Sequence, residues 1–325
     1  MKGCGKMKKF KNEIYALIDE EYMDNFTGQH LEFMKEFYYK YYSNFCLNMG
    51  RIPLGINDFY SNMHSRRIQL YQLCCPYCGS IVLIVHDKKT QGKGGYNYCP
   101  HCGRASAVEN ILRQVSRFIR ISGVNRLGLK EFKKEQQGTE EWLLAYDCYQ
   151  MEIVSLASII EVVFREYFDA LLFINNLGLP NDYIQKVVRQ QTGNDFMNIE
   201  KANNIYKKAY GINIRNALEK KVWTDLIDIV NLRNMMVHNN GSVDERFKSL
   251  DTYKRNKDKV IGELYRLEDS DISEYLESVV TAVGDITNLF LKKYYESRGM
   301  VIANHYFNND GEIVQFGKCS NCTEK

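Results

Sequence analysis

Two matching cysteine motifs place the strongest constraint on how this chain can fold. The segments are Cys75-Pro-Tyr-Cys78-Gly and Cys99-Pro-His-Cys102-Gly, and 20 residues lie between Cys78 and Cys99. Zinc in structural sites takes four tetrahedral ligands, with thiolate sulfurs at about 2.3 Å. A Cys-x-x-Cys turn lets two sulfurs converge on one ion, and the glycine that follows permits a tight backbone turn. The spacing therefore predicts a structural zinc ion held by Cys75, Cys78, Cys99 and Cys102.

The residues between the two motifs predict a small β structure around that ion. Residues 81–85 form an apolar β run, residues 87–95 a polar, glycine-rich loop, and residues 96–98 can return as a second strand. This is the layout of a zinc ribbon. Cys74 and His101 lie beside the predicted ligands, and we interpret both as bystanders. The ribbon either contacts nucleic acid or only supports the fold.

Composition places the chain among ordinary globular proteins of two or three modules. It has 325 residues, of which 45% are hydrophobic and 26% charged, and its net charge of +3 does not decide the partner. No apolar run reaches the length of a membrane span. The basic start is followed by acidic residues where a signal peptide needs an apolar core. We therefore expect a cytoplasmic protein without a membrane partner, in which clustered cysteines bind metal rather than form disulfides.

A basic segment follows the predicted ribbon. Arg113, Arg117 and Arg120 occupy positions i, i+4 and i+7, which places them on one face of a helix. Such a stripe matches the contacts that a phosphate backbone needs, so we predict RNA binding there. The alternative is a solvated helix face without a partner.

The second half of the chain reads as helical. Residues 139–175 are predicted to form one long helix. Asp271-Ile-Ser-Glu274 resembles a capping box that would start the last helix, and Gly299 would end it. The tail contains Cys319-Ser-Asn-Cys322, a lone half-site whose partners would have to be distant in the sequence.

One predicted helix ends in a group of polar residues suited to chemistry on a phosphate. Thr224 followed by Asp225 can cap its start, and Asn240-Gly241 indicates its stop. Asn234 and His238 are four residues apart and share a helix face. Arg233 and His238 are five residues apart, about 140° around the helix. An arginine for a phosphate, an amide and a proton-carrying imidazole thus meet at one helix end.

The string Arg-Asn-x-x-Val-His-Asn-x-Gly at this helix end resembles the HEPN family (higher eukaryotes and prokaryotes nucleotide-binding domains). Residues 196–213 and 243–247 resemble the flanking segments of such domains, so the resemblance covers roughly residues 139–298. It implies a metal-independent endoribonuclease in which the RNA 2′-hydroxyl attacks and a cyclic phosphate is left. By this resemblance His238 is the general acid or base, Arg233 stabilises charge on the phosphate, and Asn234 orients the phosphate or the imidazole.

Together these features predict a mainly α protein, a helical HEPN-like bundle preceded by a small β zinc ribbon and an N-terminal helical region. The boundaries are 1–70 for the N-terminal helical region, 71–104 for the ribbon, 105–138 for a basic helical linker, 139–299 for the HEPN-like domain and 300–325 for the tail.

The expected partners are RNA and a second copy of the chain. HEPN-like ribonucleases usually line one cleft with two copies, so we expect a homodimer, and family habit suggests a toxin-like or antiviral defence role. The expected cofactor is structural zinc, with no catalytic metal. The alternative function is a non-catalytic RNA- or nucleotide-binding HEPN module with the ribbon as a targeting domain. A DNA-binding regulator built on the ribbon is a third possibility.

Overall fold

The chain is mainly helical in a computed structural model that describes residues 12–24, 28–65, 67–86, 98–135, 139–177, 190, 192 and 195–306. The helices are α1 (Glu20–Met23), α2 (Gly28–Asn48), α3 (Ile56–His64), α4 (Ala107–Glu135), α5 (Thr139–Asn175), α6 (Ile199–Tyr210), α7 (Ile214–Ala217), α8 (Lys220–Asn239), α9 (Glu245–Lys248), α10 (Asp251–Arg255) and α11 (Asp269–Tyr306). Short 3₁₀ turns cover Asp195–Met197 and Lys257–Lys259.

The strands form one three-stranded sheet and one short hairpin. Strands β1 (Tyr15–Leu17), β2 (Gln69–Cys74) and β3 (Ile81–His86) pair antiparallel in that order. Tyr15 lies opposite Leu73, and Cys74 lies opposite Ile81. The hairpin joins β4 (Val260–Ile261) to β5 (Leu264–Tyr265).

The chain divides into two compact units. Unit 1 comprises the described residues within Met1–Glu109, Asp169–Gln185 and Phe290–Lys325. Unit 2 comprises those within Asn110–Phe168 and Lys186–Leu289. Unit 1 therefore contains both cysteine motifs, and unit 2 contains the basic stripe of α4 and the Arg233–His238 segment.

The core of unit 1 surrounds a fully buried arginine. Arg298 donates from Nη1 to the Glu13 carbonyl at 3.0 Å and from Nη2 to the Gln72 carbonyl. These carbonyls belong to the backbone at β1 and β2, so the guanidinium links α11 to the sheet. The rings of Tyr22 and Tyr295 pack edge to face beside it, with centroids 5.8 Å apart.

Unit 2 is a helical core with a few buried hydroxyl contacts. Tyr206 on α6 donates to the Phe164 carbonyl of α5 at 2.6 Å. The hydroxyls of Tyr167 on α5 and Thr287 on α11 lie 2.6 Å apart. Apolar side chains fill the space between these helices, among them Leu156, Ile160, Phe164, Trp223, Leu226, Ile229, Leu232, Ile272, Val279 and Ile286.

Residues 1–70 were expected to be helical, and the structure differs from that at two places. Residues 28–48 and 56–64 are helical, whereas β1 and the start of β2 lie in the same region. Ile14, Tyr15 and Ala16 are all buried. A short apolar run with every residue buried has no helical periodicity to distinguish it, so sequence spacing cannot separate strand from helix there.

Helix ends test the capping predictions. Helix α5 spans Thr139–Asn175 as expected, and α8 ends at Asn239 with Asn240 and Gly241 in left-handed conformations. The cap predicted at Thr224 is wrong, because α8 begins at Lys220 and buries Val222 and Trp223 in its first turn.

Both predicted ends of the last helix are also wrong. Helix α11 begins at Asp269, and Asp271 Oδ2 accepts the Glu268 N–H at 2.9 Å, so Asp271 is the third residue of the first turn rather than the cap. The helix continues past Gly299 to Tyr306. A glycine inside a helix costs only about 1 kcal/mol, and burial of Arg298 and Ile302 on either side outweighs that cost.

Across the described part of the chain, no helix combines the length and apolar character that a membrane crossing needs.

Candidate functional site

The two cysteine motifs fold into equivalent turns. In the first turn the Cys75 N–H donates to the Ser80 carbonyl, and the Gly79 N–H donates to the Cys75 carbonyl, both at 2.9 Å. The second turn repeats the pattern from Cys99 to Arg104 and from Gly103 to Cys99, at 2.9 and 2.8 Å. Gly79 and Gly103 have φ of 72° and 73°, a region that favours glycine. Each glycine therefore allows its turn to close behind the two sulfurs.

The four sulfurs converge with the dimensions of a tetrahedral metal site. All four ligand atoms lie within 4.8 Å of one another. Cys75 Sγ is 3.8 Å from Cys102 Sγ, and Cys78 Sγ is 3.8 Å from Cys99 Sγ. A regular tetrahedron with metal–sulfur bonds of about 2.3 Å has edges of about 3.8 Å. The cluster can therefore hold a metal such as zinc, and the predicted ligand set is brought together.

Electrostatics in the cluster favour a thiolate. The pKa of Cys78 is lowered to about 4, first by the hydrogen bond with Cys75 and further by Ser80, whose Oγ lies 3.2 Å from the sulfur. The same Cys75–Cys78 hydrogen bond raises the pKa of Cys75. Metal binding requires the deprotonated sulfur, so a site that already favours a thiolate is suited to it.

A buried carboxyl joins both turns to the start of α4. Glu13 is fully buried and accepts from Tyr77 Oη of the first turn at 3.2 Å. It also accepts the N–H groups of Ala107 and, at 3.5 Å, Val108, at the N-terminus of α4 just after the second turn. Burial raises the pKa of Glu13 to about 7. The guanidinium of Arg104 lies 3.9 Å above the Tyr77 ring and adds a second link between the turns.

The residues interpreted as bystanders lie outside the sulfur cluster. Cys74 is buried at the end of β2, and His101 is exposed in the second turn. Strand β3 pairs with β2, and Tyr98 makes an isolated bridge with Ala105. Residues 87–97 and the tail half-site of Cys319 and Cys322 lie outside the described residues.

The predicted catalytic side chains lie on the last turns of α8. His238 is exposed, while Arg233 and Asn234 are half-buried. Arg233 Nη1 donates to Asn234 Oδ1 at 3.0 Å. The Asn234 oxygen is therefore engaged with the guanidinium of Arg233. No measured contact joins Arg233 to His238, in keeping with their separation of about 140° around the helix.

The end of α8 is fixed by a close approach to α5. Gly241 has a φ of 80°, and a Cβ at this position would lie 1.8 Å from Tyr146 Oη and 2.5 Å from Gln150 Nε2. With these side chains in place, a Cβ at this position would clash with both atoms. The Gly241 carbonyl also accepts the Tyr265 N–H of β5 at 3.2 Å. The backbone after α8 is thus hydrogen-bonded to β5 and lies close to two side chains of α5.

Two aspartates accept the polar contacts that hold the segments following α8. Asn239 Nδ2 donates to Asp244 Oδ2 at 2.5 Å, and Asp244 Oδ1 caps α9 by accepting the Phe247 N–H at 2.7 Å. That N–H holds the pKa of Asp244 below its usual value. On the inner face of α8, buried Asp228 accepts from Thr252 Oγ1 at 2.6 Å and from Arg255. Burial raises the pKa of Asp228.

The basic stripe lies on the exposed face of α4. Arg113, Arg117 and Arg120 are all exposed and follow one another along the helix. Farther along the same face, Val124 and Leu127 are 68% and 67% exposed. The stripe is therefore accessible to a large ligand such as a nucleic acid strand.

Sequence reasoning missed the groups that fix these sites from a distance. Glu13 lies 94 residues before Ala107, and Tyr146 lies 95 residues before Gly241. No local spacing relates either pair. A glycine directly after the helix-ending Asn240 was the one available signal for the close approach, and it indicates a turn without naming the partner.

Comparison of the chain with protein-family models, curated proteins and solved structures gives no match.

Proposed function

We propose that this chain is a metal-independent endoribonuclease with a HEPN-like helical domain and a structural zinc ribbon. The observation that carries this proposal is the end of α8, where an exposed imidazole and an arginine hydrogen-bonded to a neighbouring amide lie on the last turns of one helix. An exposed His238 favours a role toward a ligand over a role in packing. A toxin-like or antiviral setting belongs to the same proposal and rests on family habit.

The chemistry follows from what these groups can do. The RNA 2′-oxygen attacks the adjacent phosphorus, the bond from phosphorus to the 5′-oxygen breaks, and a 2′,3′-cyclic phosphate and a 5′-hydroxyl result. One proton leaves the 2′-hydroxyl, and another must reach the departing 5′-oxygen. His238 carries one of these protons as general base or acid. Arg233 stabilises the negative charge that builds on the phosphate oxygens.

The reaction needs two proton transfers, and each chain places one histidine, His238, at the end of α8, so a homodimer is part of the proposal. In a two-fold pair, each copy contributes the same surface, so two α8 ends line one cleft. The second copy's imidazole then carries the other proton. This assigns no step to a metal, and the thiolate cluster has a structural role, in which its zinc fixes the two turns of unit 1.

RNA affinity comes in this proposal from the stripe of Arg113, Arg117 and Arg120. Each arginine that neutralises a phosphate releases counterions, which makes binding weaken as salt rises. The three guanidinium groups are exposed and belong to the same unit as α8. In this proposal the stripe binds the RNA strand and the helix end cleaves it.

The test compares cleavage of a short labelled RNA by wild-type protein and by variants of the helix end. His238→Ala removes the proton carrier and is expected to lower the rate by about 10²- to 10⁴-fold. Arg233→Lys keeps the charge but loses the planar fork that holds a phosphate through two bonds, so it is also impaired. Wild-type cleavage should persist in excess chelator, and its products should end in 2′,3′-cyclic phosphate.

Matched controls separate catalysis from folding and from binding. His64→Ala changes another exposed histidine, paired with Glu20 at 2.8 Å, and should leave the rate unchanged. Arg113, Arg117 and Arg120 changed together to Gln should weaken RNA binding and flatten its salt dependence. Cleavage that persists in His238→Ala, or that stops in chelator while the thermal melt is unchanged, would falsify the proposal. Binding without cleavage by wild-type protein would favour the non-catalytic RNA-binding alternative.

A further inference from the structure

Unit 2 contains an aromatic cavity next to the end of α8 that the proposed chemistry does not use. Its volume is about 360 Å³. One wall is formed by Trp142, Tyr146 and Tyr149 of α5, and the rim by Arg266, Glu268 and Asp269 before and at the start of α11. Pockets that bind small molecules start at about 300 Å³, so this cavity suits one small ligand.

The aromatic wall presents flat faces rather than a cage. The rings of Trp142 and Tyr146 are stacked, with centroids 5.3 Å apart and planes 19° apart. They are four residues apart on α5 and so share one face of the helix. An aromatic cage for a cation surrounds its ligand with rings, whereas a stacked pair can be extended by another flat ring. Unpaired nucleobases bind proteins in that way.

The rim supplies both donors and acceptors with little net charge. Asp269 is paired with Arg126, with Oδ1 at 2.6 Å from Nε, and Arg266 Nε lies 4.0 Å from Glu268 Oε1. Guanidinium groups only donate hydrogen bonds and carboxylates only accept them. A neutral heterocycle with donors and acceptors along one edge matches such a rim better than a free phosphate or a bare cation does.

The cavity is close to the proposed catalytic helix end. Tyr146 Oη is the atom that a Cβ on Gly241 would meet at 1.8 Å. Gly241 follows His238 by three residues, so their Cα atoms are at most about 11 Å apart. One short RNA segment can therefore reach both places.

We propose that this cavity is a nucleobase subsite, in which one unpaired base of the RNA stacks on Trp142 and is read along its edge by Arg266 and Glu268. That the base belongs to an RNA substrate rests on the proposed function, whereas base binding itself does not. The subsite positions the strand relative to His238 and gives the enzyme a preference for single-stranded RNA.

The chain offers its own reporter for this site. It has two tryptophans, and Trp223 is buried in the core of unit 2. Nucleoside 5′-monophosphates titrated into the wild-type protein should quench tryptophan fluorescence saturably, and ribose 5-phosphate should not. Trp142→Phe retains Trp223 and should show no quenching, which assigns the signal to Trp142.

Further variants measure the contribution of stacking. Loss of one stacking side chain weakens nucleic acid binding by about 5- to 100-fold. Trp142→Ala should therefore raise the KM for RNA cleavage by a corresponding factor. Tyr149→Ala keeps the reporter but removes one ring of the cavity wall, so quenching should need a higher nucleotide concentration. Leu143→Ala alters an exposed apolar residue of α5 that does not line the cavity and should change neither quantity. Thermal melts confirm that each variant is folded.

The outcomes separate this inference from the proposed function. Saturable quenching by nucleotides in a protein that does not cleave RNA supports the subsite and overturns the ribonuclease proposal. RNA cleavage with no nucleotide quenching and an unchanged KM in Trp142→Ala overturns the subsite alone. Quenching by tetramethylammonium but not by nucleotides also overturns it, because the cavity would then be a cation site.

Discussion

The sulfur cluster of unit 1 and the α8 end of unit 2 were both predicted from short motifs, yet the structure constrains them to very different degrees. The four cysteines must meet around one ion, and two sulfur–sulfur distances of 3.8 Å match the edge of that tetrahedron. Arg233 and His238 need meet only through a substrate. Their positions on one helix follow from the sequence whether or not they share a function.

The two sites differ in how much of each lies within a single chain. A metal site is complete within the chain, so a wrong ligand set would place a sulfur elsewhere. A cleavage site on a helix end is completed by RNA and, in our proposal, by a second copy. The fold of one chain therefore places the side chains of this site without completing it.

The largest effect is expected for a change in the four-cysteine cluster. Cys75→Ser removes one of four ligands, and structural zinc sites contribute about 10–16 kcal/mol of apparent binding free energy to folding. We expect elemental analysis to find one zinc per chain in the wild type and none in Cys75→Ser, together with loss of the cooperative unfolding of unit 1.

Cys74→Ser is the matched control, because the neighbouring thiol is buried but lies outside the cluster. It should keep the full zinc content. Metal-free wild-type protein with a normal thermal melt would contradict the prediction of a structural zinc ion. The four-cysteine cluster would then be no better established than the end of α8.

A smaller effect is expected from Glu13, which holds the two cysteine turns through protein contacts rather than through the metal. Glu13 is fully buried, and burial raises its pKa to about 7 from an ordinary value of 4.5. The folded state therefore binds this proton more tightly than the unfolded state does. Its contribution to stability is fully present below about pH 4.5 and falls by about 3 kcal/mol as the pH rises to about 7.

Glu13→Gln should remove this pH dependence, because an amide keeps an acceptor for the Ala107 N–H but carries no charge. The measurement is denaturant unfolding of both proteins between pH 4 and 9. The free energy of unfolding of the variant minus that of the wild type should increase between about pH 4.5 and 7 and then level off. Parallel curves would show that Glu13 stays charged when folded.

The elements that sequence alone predicted well are those defined by local patterns. The limits of α5, the stop of α8 and the four-cysteine set each depend on residues close in sequence or on a strict motif. The elements it missed depend on distant partners. Strand β1 exists because it pairs with β2 more than 50 residues later, and Arg298 is buried because it reaches carbonyls at Glu13 and Gln72.

Contacts with distant partners also set what could be predicted at the end of α8. Asn240-Gly241 marks the stop, but only the fold shows that Tyr146 and Gln150 occupy the space beside Gly241. The resemblance gave Asn234 the role of orienting the phosphate or the imidazole, and its hydrogen bond with the adjacent Arg233 was not predicted.

The smallest expected effect tests whether the α8 end is as rigid as the metal site. Gly241→Ala places a Cβ 1.8 Å from Tyr146 Oη at a φ of 80°. The Tyr146 ring is stacked on Trp142, so moving it aside would disturb that contact. Left-handed strain and overpacking together should lower the free energy of unfolding by about 2 kcal/mol.

Gly123→Ala is the matched control. Gly123 lies inside α4 with nothing within 4 Å of its Cβ position, so this variant should instead gain up to about 1 kcal/mol of stability. If the α8 end is a positioned site, Gly241→Ala should also slow RNA cleavage at temperatures where the variant is fully folded. Unchanged stability and unchanged cleavage in Gly241→Ala would mean that this helix end is adaptable, and that Arg233 and His238 are not held in place by the contact with α5.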